Sequence, residues 1–233
     1  MNNSKYKHIF FDLDRTLWDF NKNSEASLNQ LFRDYQLQSI FGSFLFFKSR
    51  YEYHNGKLWN AYYQKRIKKE DLMYRRFYLT LKEAGKNDLD LAKEIAKDFI
   101  EITPLQTVTF PNAHQILEYL KTKKYQLYII TNGFNEVQAK KLQNSKLDAY
   151  FTEVITSEDA GANKPTPQIF EYAFNKSGAV ANNSLLIGDD LSTDIAGAKR
   201  VKMDQIYFNP HRINHKDEPT FEISDLLEIK NIL

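Results

Sequence analysis

Five aspartates, a threonine, an asparagine and a lysine stand in four short segments suited to phosphate transfer: Asp12-Leu13-Asp14-Arg15-Thr16, Thr131-Asn132-Gly133, Lys164-Pro165, and Gly188-Asp189-Asp190 with Asp194 beyond it. A phosphate monoester dianion repels an attacking carboxylate, so an aspartate nucleophile needs a cation to screen the charges and align the groups. Asp12, Asp14 and Asp189 offer oxygen ligands for a hard ion. So small a set, completed by waters and a substrate oxygen, suits Mg2+, and oxygen ligands suit Mn2+ as well. Lys164 supplies a fixed positive charge for phosphoryl oxygens. Thr131 and Asn132 end a strand before a helix, where a hydroxyl, an amide and free N–H groups can cradle a phosphate. The plain alternative for this pair is a helix cap. Asp190 is read as a supporting residue or a helix-start cap.

These segments need elements that bring them together. Apolar runs at His8 to Phe11, Leu127 to Ile130 and Leu185 to Ile187 lead into Asp12, Thr131 and Gly188, and each reads as a strand covered on both faces. Further runs near Val154 to Thr156 and Gln205 to Phe208 alternate with helical segments, the pattern of an α/β doubly wound parallel sheet. In such a sheet the carboxyl ends of the strands share one edge, so their terminal residues converge. Pro111 and Pro167 are placed in first helical turns. Between Leu17 and about Leu105 the periodicity is helical: Ser24 to Asp34, Gly42 to Tyr53, Lys57 to Gln64, Lys69 to Glu83 and Leu89 to Glu101. The expected division is a core of residues 1–16 and 106–233 and a helical cap domain of residues 17–105. Phe41, Phe44, Phe46, Phe47, Tyr51, Trp59, Tyr62 and Tyr63 are read as its interior, and Lys65, Arg66, Lys68, Lys69, Arg75 and Arg76 as a solvated helix face.

The four motifs, in this order and with this insert, resemble the haloacid-dehalogenase superfamily, mostly Mg2+-dependent phosphohydrolases with a Rossmann-like core. More narrowly, Asp12 to Phe20 (DLDRTLWDF), Ile130 to Phe134 (ITNGF), Asn163 to Pro167 (NKPTP) and Gly188 to Asp194 (GDDLSTD) look like the branch that dephosphorylates non-canonical pyrimidine nucleoside monophosphates. The resemblance implies that Asp12 attacks phosphorus and becomes an aspartyl phosphate. It implies a metal held by Asp12, the backbone carbonyl of Asp14 and Asp189, with Asp194 supporting that shell. Asp14 is then the proton handler, acid toward the leaving oxygen and base toward water. A free aspartate, with a pKa of about 3.9, is too strong an acid for that role at neutral pH, so clustered carboxylates are expected to raise it. One departure is Arg15, where the commonest form of the motif has glycine; it is a candidate for substrate or cap contact. Trp18 and Phe20 follow the catalytic loop and are candidates for stacking on a flat base, with packing as the competing reading.

Composition narrows the classes further. The 233 residues carry 32 basic and 30 acidic side chains, so no strong field favours a nucleic-acid polymer or an anionic membrane. The absence of cysteine excludes disulfides, thiolate ligands and a cysteine nucleophile, and agrees with a reducing compartment. The polar start and the lack of a long apolar run point to a cytoplasmic protein, expected as a monomer or weak dimer. The leading expectation is a Mg2+-dependent phosphomonoesterase acting on nucleoside monophosphates. Alternatives are a phosphatase of small sugar phosphates or phosphoglycolate, a sugar-phosphate mutase, and, outside the enzymes, a phospho-accepting signalling domain.

Overall fold

The computed structural model describes residues 5–233. Among the described residues six strands form one parallel sheet: β1 (His8–Phe11), β2 (Gln126–Thr131), β3 (Glu153–Thr156), β4 (Ser184–Gly188), β5 (Asp204–Phe208) and β6 (Phe221–Ile223), in the order β3-β2-β1-β4-β5-β6. The chain winds outward from β1 in both directions, so the topological switch lies between β1 and β4, where ligand crevices form in such sheets. Phe11 pairs in register with Ile129 on one side and Ile187 on the other. The residues that follow these strands therefore reach the edge at one level.

Side chains alternate between two buried faces. Ile9, Phe11, Ile129 and Ile187 belong to one cluster, while Phe10, Tyr128, Ile130 and Leu186 belong to another. Both faces are apolar because helices cover both, which is why the strands read as continuous hydrophobic runs. The short edge strand β6 escaped the sequence reading because three residues carry no measurable alternation.

The chain divides into two compact units, one of Met1–Phe20 with Thr107–Leu233 and one of Asn21–Gln106. The second holds helices α1 (Phe20–Asp34, starting at the boundary), α2 (Gln38–Phe41), α3 (Phe44–Tyr63), α4 (Lys69–Glu83) and α5 (Leu89–Ile102) around a core that includes Leu28, Phe47, Tyr51, Phe77 and Phe99. The two helices expected over Gly42 to Tyr53 and Lys57 to Gln64 are one helix, capped by Ser43, whose hydroxyl accepts from Phe46 N at 3.2 Å. Gly56, which falls between the two expected segments, is tolerated at the usual cost of about 1 kcal/mol because the buried face Phe47, Tyr51, Leu58 runs through it. Two surface readings are also corrected. Arg76 is buried, its guanidinium 4.9 Å from the Phe99 ring centre and donating to Met73 O, so it is not part of a solvated face. Phe46 is 47% exposed, and Trp59, Tyr62 and Tyr63 are half-buried and cluster on one another outside that core.

The first unit adds α6 (Ala113–Thr122), α7 (Asn135–Asn144), α8 (Ser157–Ala160), α9 (Pro167–Ser177) and α10 (Ala196–Arg200). Pro167 opens α9 as expected, but Pro111 does not open α6; left-handed Asn112, with φ 66°, intervenes between it and Ala113. Among the described residues, no helix is long and apolar enough to cross a membrane.

Candidate active site

The loop after β1 is wound tightly on itself. Leu17 N and Trp18 N both donate to Leu13 O, at 3.0 and 2.9 Å, and Arg15 N donates to Trp18 O at 2.9 Å. Arg15 pays for this turn with a φ of 67°, the left-handed region that glycine adopts without strain. That explains in backbone terms why glycine is common at this position in the motif. Behind Arg15, Asp12 is buried and its N–H donates to Ile187 O at 2.9 Å, which pins the start of the loop to β4.

Lys164 is the electrostatic centre. Its ammonium donates to Asp12 Oδ1 at 2.6 Å and to Ile130 O at 2.9 Å, and lies 2.6 Å from Asp194 Oδ1, with its side chain 2% exposed. Burial favours the neutral amine, but the two carboxylates outweigh it and hold the proton more tightly than on an ordinary lysine. The loop that carries Lys164 is clamped by Asn132, whose Oδ1 accepts from Lys164 N at 2.8 Å and whose Nδ2 donates to Lys164 O at 3.1 Å. The Asn132 side-chain amide thus fixes the lysine backbone. Thr131 Oγ1 accepts from Gly133 N at 3.1 Å and from Gln138 Nε2 at 2.8 Å. With both lone-pair directions taken, the hydroxyl proton is left to donate, which is the polarity a phosphoryl oxygen requires.

The β4 loop completes the cluster. Asp190 caps the turn of Leu191–Ile195, accepting from Ser192 N at 2.8 Å and Thr193 N at 3.0 Å, so of its two sequence readings the cap is realised. Asp194, fully buried, accepts Asp190 N at 3.1 Å through Oδ2. It sits so close to Gly188 that a Cβ there would overlap its carboxylate. Asp12, Asp189 and Asp194 each bring one oxygen within 4.8 Å of the others. Burial, reinforced by neighbouring carboxylates, pushes Asp12 up to about 7 and Asp189 up to about 8; Lys164 opposes the first shift and Arg15 the second. Asp194 is raised too, chiefly by burial and against the pull of Lys164. When all three carboxylates are ionised, the Lys164 ammonium between two of them and the exposed Arg15 guanidinium acting on Asp189 still leave a net negative charge. A largely buried all-oxygen donor set with net negative charge fits a hard divalent cation such as Mg2+.

The Asp14 carboxylate stands outside that cluster. Lys141 Nζ lies 2.6 Å from its Oδ1, and Gln138 Nε2 donates to Oδ2 at 3.0 Å. The crowd of carboxylates expected around Asp14 is thus replaced by two donors from α7. Neither was singled out in the sequence. A signal existed: Gln138, Lys141, Leu142 and, at the C-cap, Ser145 follow i, i+3, i+4, i+7 spacing, and all four are buried, three of them polar, so the inward face of α7 is mostly polar.

Trp18 is enclosed by protein. It is 0% exposed, and the Lys141 ammonium lies 4.4 Å from its ring centre, which corrects the stacking reading in favour of packing. Phe20 is half-buried, with Lys141 at 5.5 Å and the Arg15 guanidinium at 4.6 Å from its ring centre. Arg15 itself is exposed.

Comparison with known proteins agrees with this geometry. The family model of haloacid dehalogenase-like hydrolases matches residues 9–208. The chain is 33% identical to pyrimidine 5'-nucleotidase PynA of Streptococcus pneumoniae, with 98% of this chain and 97% of that protein covered. It is 29% identical to pyrimidine 5'-nucleotidase YjjG of Escherichia coli, with 98% of each covered. The magnesium-bound crystal structure of the HAD-hydrolase YfnB from Bacillus subtilis superposes with a TM-score of 0.88 at 30% identity, covering 98% of this chain and 99% of that one.

Proposed function

The chain belongs to the haloacid dehalogenase-like hydrolases, and from that premise we propose that it is a divalent-metal-dependent phosphatase of pyrimidine nucleoside 5'-monophosphates working through a phosphorylated Asp12. The observation that carries the chemistry is the pairing of two differently wired aspartates on one loop: Asp12 buried against Lys164, and Asp14 served by Lys141 and Gln138. The substrate class rests on full-length likeness to two proteins named pyrimidine 5'-nucleotidases.

In this reading an Asp12 carboxylate oxygen bonds to phosphorus as the ester P–O bond breaks, and Asp14 gives its proton to the departing nucleoside oxygen. Asp14, now a carboxylate, then takes a proton from a water that attacks phosphorus; the Asp12–phosphorus bond breaks and inorganic phosphate leaves. Thr131 donates its hydroxyl to a phosphoryl oxygen, and Lys164 offsets charge on Asp12 and on the phosphoryl group. Asp12, Asp189 and the backbone carbonyl of Asp14 would hold Mg2+, with Asp194 supporting them. When bound, the ion supplies the positive charge that lets a carboxylate approach a phosphate dianion. The helical insert is assigned to choosing the leaving group.

The test is phosphate release from dUMP, UMP, dTMP, sugar phosphates and 2-phosphoglycolate, with Mg2+ and then with chelator, using Asp12→Asn as the blank. Metal-dependent release, strongest on the pyrimidine nucleotides and lost in Asp12→Asn, is expected. Release confined to sugar phosphates would overturn the substrate, and near-normal activity of Asp12→Asn would overturn the covalent route.

A further inference from the structure

Lys141 is a buried lysine that meets Asp14 but belongs neither to the phosphate-binding set nor to the metal cluster described above. Its side chain is 4% exposed, yet it carries a charge on a helix face that otherwise packs inward. Three surroundings account for it: Asp14 Oδ1 at 2.6 Å, the face of Trp18 at 4.4 Å and the ring of Phe20 at 5.5 Å. An ammonium between an aromatic face and one carboxylate oxygen has little freedom, because the aromatic ring attracts the cation and excludes water from that side. Gln138, one turn earlier on α7, holds the second carboxylate oxygen at 3.0 Å and is itself tied to Thr131 at 2.8 Å. Both oxygens of Asp14 are thereby fixed from a single helix, and the plane of the carboxyl group is set.

We propose that Lys141 is a positioning residue for proton transfer by Asp14, holding its carboxyl group in the orientation from which it serves the leaving oxygen and stabilising the carboxylate left behind. The step balances simply. The O–H bond of Asp14 breaks, the proton joins the departing alkoxide oxygen, and the negative charge that appears on Asp14 faces the Lys141 ammonium. Trp18 then acts as the shelf that keeps the ammonium in place, which gives its complete burial a role in the site. This inference rests on the phosphatase reading, in which Asp14 is the acid.

An ester whose leaving group needs a proton separates this role from a merely structural one. Alkyl phosphates such as dUMP expel a strongly basic oxygen and depend on the acid; p-nitrophenyl phosphate expels a weakly basic phenolate and does not. The parameter to compare is kcat/KM, which for this route covers the steps through phosphorylation of Asp12 and omits the later attack of water. For Lys141→Met we expect kcat/KM on dUMP to fall by about 100-fold, the scale of general acid catalysis. On p-nitrophenyl phosphate it should change by less than about 5-fold, well below that scale. Asp14→Asn should show the same split. Equal losses on both esters, or no loss on dUMP, would overturn the proposal. If Lys141→Met does not fold, Lys141→Gln, which keeps a donor and much of the stem, is measured by the same comparison and judged by the same two outcomes. A wild-type enzyme that ignores dUMP but cleaves 2-phosphoglycolate would refute the nucleotide reading alone, and the alkyl-against-aryl comparison would then be made with that ester.

Discussion

Lys164 and Asp12 meet across 2.6 Å in a region where neither side chain is more than 9% exposed, and the same ammonium stands 2.6 Å from Asp194. One cation thus serves two buried carboxylates, so removing it leaves both without their partner. Lys164→Met should lower turnover by about 100- to 1,000-fold, the range found when one preorganised electrostatic contact is deleted. Metal-free stability should also fall by roughly 3–5 kcal/mol, the cost of stripping one partner from a buried ion pair. Urea unfolding with and without Mg2+ checks this, with Mg2+ expected to recover part of the loss.

The raised carboxyls make a linked prediction for pH and metal. Asp12 at about 7 and Asp189 at about 8 bind protons in the fold that the unfolded chain has already released near its ordinary value of about 3.9. The folded state is therefore the better proton binder. These two groups contribute stability that is fully present below about pH 4 and is lost as pH rises through 7 to 8. A divalent ion must displace those protons, so its binding strengthens over the same rise. The melting temperature of the metal-free protein should fall from pH 6 to pH 8.5, while the increment given by Mg2+ grows. Titration calorimetry in buffers of different ionisation enthalpy should detect protons released on Mg2+ binding at pH 6.5 and few at pH 9. A Mg2+ increment that shrinks with rising pH would contradict the assignment.

Much of this site was legible in the residues because it is written at strand ends. Asp12, Thr131 and Gly188 each close an apolar run, and parallel pairing of β1 with β2 and β4 brings them to one edge without long-range information. What stayed hidden depends on tertiary placement. Lys141 looks like any helix lysine in Ala-Lys-Lys, and only the rotation of α7 turns it toward Asp14 while Lys140 faces solvent. Asn132 announced a polar role but not its partner, because the backbone of Lys164 arrives from 32 residues away. Trp18 was ambiguous for a similar reason: an aromatic beside a catalytic loop reads alike as shelf or as ligand contact. The two segments expected over residues 42–53 and 57–64 are the one helix α3 because the burial of Phe47, Tyr51 and Leu58 on one face carries it across the gap between them.

Two glycines near the site give sharp steric tests. A Cβ at Gly188 would overlap the Asp194 carboxylate, and one at Gly133 would overlap the side chain of Gln138. Neither glycine has a positive φ, so alanine fits both backbones and the damage is confined to the neighbour. Gly188→Ala should weaken Mg2+ binding by about 10- to 100-fold, as changes around metal ligands do. Gly133→Ala should leave Mg2+ affinity near wild type and lower kcat/KM on alkyl phosphates, because it disturbs a donor to Asp14. Isothermal titration and steady-state kinetics on the two variants would show whether the effects separate.

Phe20 and Trp18 differ enough in exposure to divide their roles. Trp18 is fully enclosed, so Trp18→Ala should cost about 3–5 kcal/mol in stability and be visible in a denaturant melt. Phe20 is half-buried and carries the exposed Arg15 on its ring, so part of its surface can meet a flat ligand. Stacking of a base on an aromatic side chain contributes about 1–3 kcal/mol, and the lower figure is already about a 5-fold change in binding. If Phe20 supplies such a contact, Phe20→Ala should raise KM for dUMP by about 5-fold or more while leaving kcat near wild type, and should leave KM for 2-phosphoglycolate unchanged because that ester has no base. Parallel increases for both esters would assign Phe20 to packing beneath Arg15 and remove it from contact with the base.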